Sequence, residues 1–239
     1  MLKAAEIIKK LKREIKAADR PENRINYQQF FKEKLKEPEG LRAATLRDIS
    51  NRGYKEIRGE SLDQILRLCD QLLASDERYM RFFAFEWALK SKRHYRIGEF
   101  RRFERWLRTY VSDWGSCDHL CTGPIGVLIA QYPELAGKVR PWRRSRTRWV
   151  RRGAAVSLIM PVRQRLLLDE VCRTADALLE DQDDMVQKGY GWMLKEASNR
   201  FPDEVFAYVM KHKARMPRTA LRYAIEKLSP TRRRQAMAK

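Results

Sequence analysis

The sequence predicts an all-α fold, an α-solenoid of HEAT-like helix pairs with a concave basic face. Nearly every segment places apolar residues three and four positions apart, which is the spacing of one helix face. No run of alternating apolar and polar residues is long enough to predict a strand. Segment 150–158 also aligns with segment 186–194, with Val, a basic residue, Gly and Leu at matching positions, and this self-similarity predicts repeats.

The two aligned segments lie 36 residues apart, and a degenerate third copy runs from Arg218 to Leu228. A helix pair of this length cannot bury its own apolar face, so stacked neighbours must supply the core. Tetratricopeptide repeats are the rival architecture, but their signature of about 34 residues does not recur. We expect a single domain over 1–239, with N-terminal helices in 1–58, repeats in 59–228 and a basic C-terminal segment in 229–239.

The N-terminal part of the chain carries the helical pattern in stretches that are separated by breaks. Proline and glycine end the first three stretches, and the Ser61 hydroxyl is expected to cap the fourth. The last stretch is rich in aromatic residues and is predicted to be a core helix. The predicted helices run from Leu2 to Pro21, from Ile25 to Lys36, from Leu41 to Gly53, from Ser61 to Leu72, and over 78–90.

A helix that begins after Ser112 or Asp113 holds the first candidate site residues. Either of these two residues can cap the helix, and apolar residues then recur as far as Ile129. Asp118 lies four residues after Trp114, so the indole and the carboxylate project from one helix face. The helix dipole favours a charged carboxylate near an N-terminus. A capped core helix explains this stretch equally well when it is taken alone.

The charge balance indicates a polyanionic partner. The chain has 51 Lys and Arg against 31 Asp and Glu, a formal net charge of +20. Nucleic acid is favoured over an anionic membrane surface, because no apolar run approaches the ~20 residues that span a bilayer.

Residues 140–152, which we call the arginine segment, concentrate this charge. Arginine binds phosphate in a bidentate manner, and a helix N-terminus adds backbone donors to the same anion. A solvated basic loop is the alternative interpretation. Trp142 and Trp149 are predicted to pack beneath the loop. The expected phosphate contacts are Arg143, Arg144, Arg146, Arg148, Arg151 and Arg152, together with Lys188.

Trp192 follows two glycines in a predicted helix. Gly189 and Gly191 each cost such a helix ~1 kcal/mol, so tight helix packing or a bulky ligand must offset them. Taken alone, Trp192 is better explained by core packing. The acidic run of residues 180–184 is expected to cap this helix and to complement its dipole.

The four cysteines predict neither a disulfide framework nor a metal site. No CxxC pair occurs, which is typical of a protein in a reducing cytoplasm. Cys117, His119 and Cys121 are close in sequence, but their helical spacing turns the histidine away from the thiols, and no fourth ligand is evident. Charged residues interrupt any signal-peptide pattern near the N-terminus. We expect a cytoplasmic, nucleoid-associated protein.

Four stretches together resemble the AlkD family of DNA alkylation repair glycosylases. They are LRAATLRDIS, DWGSCDHLCTGPIG, WVRRGAAVSLI and QKGYGWMLKEASNRFPDEVFAYV. The likeness extends from about Tyr27 to Leu228. It implies a HEAT-like repeat protein that binds duplex DNA on its concave face. It also implies that the protein excises positively charged N3- and N7-alkylated purines. It also implies recognition while the lesion stays largely stacked, without full base flipping.

The same resemblance assigns roles to individual residues. It places the functional aspartate at Asp118, its flanking tryptophans at Trp114 and Trp192, and an arginine that clamps a phosphate at Arg152. Tyr27 matches an aromatic residue of the family's cleft. Extra residues between Asp118 and Pro124 set this chain apart from its relatives.

These residue types suit the chemistry on independent grounds. An alkylated purine already carries positive charge, so it departs without a strong general acid. A carboxylate beside the sugar stabilises the oxocarbenium-like transition state, and indole faces add cation–π attraction. We expect a monofunctional glycosylase that acts as a monomer on duplex DNA and requires no cofactor. The alternatives are a non-catalytic HEAT-repeat protein that binds branched or bent DNA, and a repeat scaffold for RNA or protein.

Overall fold

The computed structural model describes residues 4–20, 41–75 and 78–238, and within these ranges it contains helices and turns but no strand. The all-α prediction is confirmed. The chain divides into two compact units, Met1–Arg93 and His94–Lys239. The predicted helix from Ile25 to Lys36, including Tyr27, lies outside the described residues.

The first unit consists of helices that bury aromatic and aliphatic side chains against one another. Phe83, Phe85 and Trp87 are fully buried, as predicted for the aromatic-rich helix. The cap predicted at Ser61 is also confirmed, since its hydroxyl accepts from the Gln64 amide in a capping box. The helices are α1 (Ala4–Ala18), α2 (Ala43–Ile57), α3 (Leu62–Ala74) and α4 (Arg78–Lys90).

Gly53 does not end a helix as predicted, because α2 continues through it to Ile57. The Trp87 ring packs against this glycine, and a Cβ atom there would lie 2.7 Å from Trp87 Cζ2. The Trp87 indole N–H donates to the Ser50 carbonyl at 3.1 Å. Gly53 is therefore a packing position, and the buried ring outweighs its low helix propensity.

The second unit contains the shorter helices and the predicted repeats. Trp106, Trp142 and Tyr190 are fully buried in its core, which confirms the packing role predicted for Trp142. The helices are α5 (Glu99–Tyr110), α6 (Trp114–Leu120), α7 (Gly126–Gln131), α8 (Ala136–Val139), α9 (Arg148–Val156), α10 (Ile159–Arg163), α11 (Leu168–Leu178), α12 (Asp184–Ser198), α13 (Pro202–His212), α14 (Arg218–Ala224) and α15 (Pro230–Met237).

The aligned segments form equivalent helices that stack side by side. Helix α12 packs against α9 on one side and against α14 on the other. A Cβ atom at Gly189 would lie 3.0 Å from Arg152 Cγ, and one at Gly191 would lie 2.8 Å from Tyr223 Cβ. Close helix packing on both sides therefore explains the two glycines, and the stacking is that of a helical repeat.

The basic C-terminal segment forms helix α15, whose N-terminus is capped by the Ser229 hydroxyl. No described helix is long and apolar enough to cross a membrane.

Candidate active site and nucleic-acid interface

Helix α6 presents Trp114 and Asp118 on one face. Of the two predicted caps it uses Asp113, whose carboxylate accepts from the Ser116 amide at 2.8 Å. The Trp114 side chain is 37% exposed, which is unusual for tryptophan in this chain. The Asp118 side chain is 17% exposed, so its carboxylate is accessible but largely surrounded by protein.

A turn of π-helix follows α6 directly. Residues Cys121–Ile125 form this turn, Gly123 within it has φ −87° and ψ −108°, and Pro124 lacks a backbone N–H. The chain direction therefore changes before α7, and the single helix predicted as far as Ile129 is interrupted. The π-turn lies in the stretch between Asp118 and Pro124 where the family resemblance predicts extra residues. Such turns accommodate an additional residue and are frequent at functional sites.

The Asp118 carboxylate forms a two-point ion pair with Arg152 of α9. Arg152 Nε donates to one carboxylate oxygen and Nη2 to the other, each at 2.8 Å. This side-on geometry gives the strongest type of arginine–carboxylate contact. Burial lowers the pKa of Arg152, but the hydrogen bonds and charge of Asp118 outweigh that effect and raise it overall.

Arg152 also contacts α12. Its partners in the structure are therefore protein groups, whereas the sequence predicts a DNA phosphate. Its Nη1 donates to the Met185 carbonyl at 2.5 Å, and its stem lies over Gly189. The residue is only 5% exposed. Arg152 thus connects the helix of Asp118 to the helix of Trp192, and its buried guanidinium is engaged at all three nitrogens.

Trp192 lies on the face of α12 that also carries Met185 and Gly189. It is partly exposed rather than a core residue, and its indole N–H donates to Glu196 at 2.9 Å. Glu196 is paired with Arg163 at 2.9 Å. Burial alone would raise the pKa of Glu196, but the Arg163 and Trp192 hydrogen bonds lower it overall.

Acidic residues from elsewhere in the sequence pair with most of the arginine segment. Arg148 meets Asp183 at 2.9 Å, and Arg151 meets Asp181 at 2.6 Å. Arg143 binds the buried Glu170. Lys188, which lies outside the segment, is paired with Asp184 at 2.7 Å. Among the described residues, Arg144 and Arg146 are the predicted phosphate contacts that make no ion pair, and both are exposed.

The acidic run therefore has a second role that the sequence reasoning missed. Its predicted capping role is confirmed, since the Asp183 carboxylate accepts from the Met185 and Val186 amides at 2.9 and 3.3 Å. The same run also neutralises predicted phosphate contacts. A usable signal was present, because Arg148 and Asp183 are 35 residues apart, which is close to the 36-residue offset between the aligned segments.

Trp149 is a partly exposed aromatic residue next to this site. Its carbonyl accepts from the Cys117 thiol at 3.3 Å, which places it against the helix of Asp118. The Arg148 guanidinium lies 5.8 Å from its ring centroid. Trp149 therefore packs less completely than the buried Trp142.

The thiols below Asp118 are buried. Burial, with a further contribution from Cys117, raises the pKa of Cys121 well above its usual value. In the described part of the chain, no group of three His, Cys, Asp or Glu side chains is arranged to hold a metal ion.

A cavity of about 620 Å³ in the second unit is lined by other residues. Three arginines and three carboxylates line it, so their charges balance, and neither Asp118, Trp114 nor Trp192 is among them. We therefore place the candidate site at the ion pair of Asp118 and Arg152 rather than in this cavity.

Comparison with known proteins gives a family match and several similar solved structures, of which two are described here. A family model described as DNA alkylation repair enzyme matches residues 11–228. A structure described as a predicted DNA alkylation repair enzyme from Enterococcus faecalis superposes with a TM-score of 0.71 at 18% identity, covering 80% of this chain and 88% of that one. The smu.31 protein of Streptococcus mutans UA159 gives a TM-score of 0.58 at 17% identity, covering 78% and 94% respectively. At these identities the structures show a shared fold. No curated protein sequence matches the chain.

Proposed function

Because the chain belongs to the DNA alkylation repair enzyme family, we propose that it is a monofunctional DNA glycosylase. It hydrolyses the N-glycosidic bond of positively charged N3- or N7-alkylated purines in duplex DNA. The observation that carries this proposal is the Asp118 carboxylate, fixed at both oxygens by Arg152 and flanked on its own helix face by the exposed Trp114.

Asp118 acts on charge that develops during bond cleavage. The alkylated base leaves as a neutral purine, and positive charge accumulates on the C1′ and O4′ atoms of the sugar. A carboxylate held close to these atoms stabilises that charge and orients the water that attacks C1′. Since the alkylated base is already positively charged before the bond breaks, no general acid is needed to protonate it.

Arg152 is a positioning residue in this scheme. Its positive charge partly offsets the Asp118 charge, so the carboxylate must lie nearer the substrate than the guanidinium does. The side-chain exposures agree with this order, at 17% for Asp118 and 7% for Arg152. A carboxylate already fixed in place requires no reorganisation as the transition state forms.

Trp114 and Trp192 supply the apolar walls of the site. Both are partly exposed, and each is carried by a helix that the Asp118–Arg152 pair connects. Indole faces attract a cationic base or sugar by ~1–2 kcal/mol when water is excluded. Indole walls of this kind can recognise the positive charge of a lesion that remains within the base stack. We therefore propose that the base is not fully flipped.

A non-catalytic protein that binds branched or bent DNA is the second candidate. The observation in its favour is that Asp118 is engaged by Arg152, an arrangement that would also serve structure alone. Such a protein would use the exposed arginines but would not need the Asp118 charge for any reaction.

Release of free base from methylated DNA distinguishes the two candidates. We expect the purified protein to release N7- or N3-methylpurines from duplex DNA treated with a methylating agent. Asp118→Asn should retain binding and release base at least about tenfold more slowly, since an electrostatic partner of this kind contributes ~3 kcal/mol.

The matched control is Asp203→Asn, which removes a carboxylate that pairs with Arg232 in another part of the second unit. Its rate should equal that of the wild type. Undiminished release by Asp118→Asn would remove this residue from the mechanism, and DNA binding without any release by the wild type would favour the non-catalytic candidate.

A further inference from the structure

Two carboxylates of the acidic run pair with arginines that are predicted to contact DNA phosphates. Asp183 lies 2.9 Å from Arg148, and Asp181 lies 2.6 Å from Arg151. These arginines are partly exposed, at 33% and 20% of their side chains, so they can also be reached from solvent. Arg152, by contrast, is too buried to exchange partners.

Both carboxylates also hold fixed positions in the fold. Asp183 caps α12, and the Asp181 carboxylate accepts from the Asp183 amide at 2.9 Å. These backbone hydrogen bonds hold both carboxylates beside their arginines in the structure without DNA. A phosphate that approaches Arg148 or Arg151 must compete with the carboxylate that is already bound there. The negative charge of that carboxylate also repels the phosphate.

We propose that Asp181 and Asp183 compete with DNA phosphates for Arg151 and Arg148 and thereby weaken the binding of duplex DNA, so that the protein dissociates more readily from undamaged sites. This inference rests on the proposed DNA-binding function. Phosphate contacts are the same at every base pair, so they hold the protein equally on damaged and undamaged DNA. Weaker phosphate contacts therefore lower both affinities by the same factor, which shortens the time spent at each undamaged site and leaves the discrimination itself to the contacts with the lesion.

The direct test measures affinity for an undamaged duplex by fluorescence anisotropy. Asp181→Asn and Asp183→Asn each keep an oxygen acceptor for the backbone amides, and asparagine is as good a helix cap as aspartate. Each variant should bind undamaged DNA about three- to tenfold more tightly. The slope of log K against log[salt] should become steeper by about 0.9, the value for one additional phosphate contact.

Glu180→Gln is the matched control for the change in net charge. Glu180 belongs to the same acidic run, but it pairs with Arg215, and both side chains are well exposed. We expect its affinity to change less than about twofold, as is usual when an exposed ion pair is lost. Equal tightening by all three variants would overturn the proposal, because it would show a general charge effect.

A double-mutant cycle with Arg151→Gln tests the pairing itself. If Asp181 acts through Arg151, Asp181→Asn should tighten binding in the wild-type background and leave the Arg151→Gln background unchanged. Equal effects in the two backgrounds would contradict the proposal. Thermal unfolding of each variant verifies that the fold is intact.

Base release from methylated DNA separates this inference from the proposed function. If the wild type releases base and the two asparagine variants bind as it does, the inference fails and the glycosylase proposal stands. If the variants bind more tightly but the wild type releases no base, the glycosylase proposal fails and the role of the acidic run stands.

Discussion

The ion pair of Asp118 and Arg152 combines structural and chemical roles in two side chains. Arg152 donates to both carboxylate oxygens and to the Met185 carbonyl, so three acceptors on two helices depend on it. Removal of one member of a largely buried pair leaves the other charge without its partner. The pair therefore links the stability of the second unit to the geometry of the candidate site.

Arg152→Ala should destabilise the protein by about 3 kcal/mol, because Asp118 and the Met185 carbonyl both lose their donors. Urea unfolding followed by circular dichroism measures this loss. Arg232→Ala, which breaks the exposed pair with Asp203, should cost less than about 1 kcal/mol. Equal losses in the two variants would show that the Asp118–Arg152 pair has no special role in stability.

The lowered pKa of Glu196 predicts a dependence of stability on pH. Since its folded-state pKa lies below its unfolded value, its contribution is fully present above the unfolded value and is lost as the pH falls through the folded one. Glu196→Gln should therefore be less stable than the wild type at neutral pH, and the difference should shrink in acid. Urea unfolding midpoints between about pH 7 and pH 3 measure it, and a difference independent of pH would contradict the prediction.

The family resemblance supplied the composition of the candidate site, since residue types alone left both Asp118 and Trp192 open to a structural interpretation, and neither predicted the contacts. Trp114, Asp118 and Trp192 are accessible as a site requires, and the spacing that placed Trp114 and Asp118 on one helix face holds. The pairing of Arg152 with Asp118 spans 34 residues and depends on how two repeats pack. Local sequence carries no information on such a contact, so Arg152 was expected at a phosphate instead.

Helix α12 is the element on which the candidate site and the repeat core both depend. Gly189 allows Arg152 to lie against the helix, and Gly191 allows α14 to approach within contact of its backbone. The helical periodicity predicted this element and its acidic cap. It did not predict the two glycine contacts, because sequence spacing does not indicate which neighbouring helix faces each position.

Gly189→Ala should slow base release by about tenfold, because the new Cβ would lie 3.0 Å from Arg152 Cγ and displace a side chain that three hydrogen bonds hold. Single-turnover rates on methylated DNA measure this effect. Gly137→Ala, with nothing within 4 Å of its Cβ, is the control and should leave the rate unchanged. A wild-type rate for Gly189→Ala would show that the position of Arg152 is not critical.

The two errors at the level of helices have different physical causes. Gly53 was read as a helix end because glycine has a low helix propensity, whereas burial of the Trp87 ring outweighs that cost. The interruption after Asp118 was missed because the apolar spacing continues across Cys121–Ile125. A π-turn shifts the register by one residue, and the apolar pattern tolerates that shift.

Over the whole molecule, the net charge of +20 predicted a polyanionic partner, while the distribution of charge was less clear from the sequence. The arginine segment contains no acidic residue, yet Glu170, Asp181 and Asp183 meet it in space. The separation of Arg148 and Asp183, 35 residues, is close to the 36-residue offset between the aligned segments. Charges that look unbalanced in a repeat protein should therefore be compared with those one repeat away.

The salt dependence of DNA binding tests the interface as a whole. About six phosphate contacts would give a slope of log K against log[salt] near −5, and cations already paired with carboxylates should reduce its magnitude toward about −3. Arg146→Gln should lower the magnitude by about 0.9, because this exposed arginine makes no ion pair in the described part of the chain. Arg96→Gln, outside the arginine segment, is the control, and a nearly flat wild-type dependence would contradict the interface.

The burial of the thiol of Cys121, close to Asp118, has a consequence for a protein that is proposed to act where alkylating agents are present. Reagents that methylate DNA also attack sulfur, and they react with the thiolate form rather than with the protonated thiol. Cys121 is fully buried, and burial raises the pKa of its thiol, which favours the protonated form. We therefore expect Cys121 to be alkylated only slowly by the same chemicals whose lesions the chain is proposed to remove.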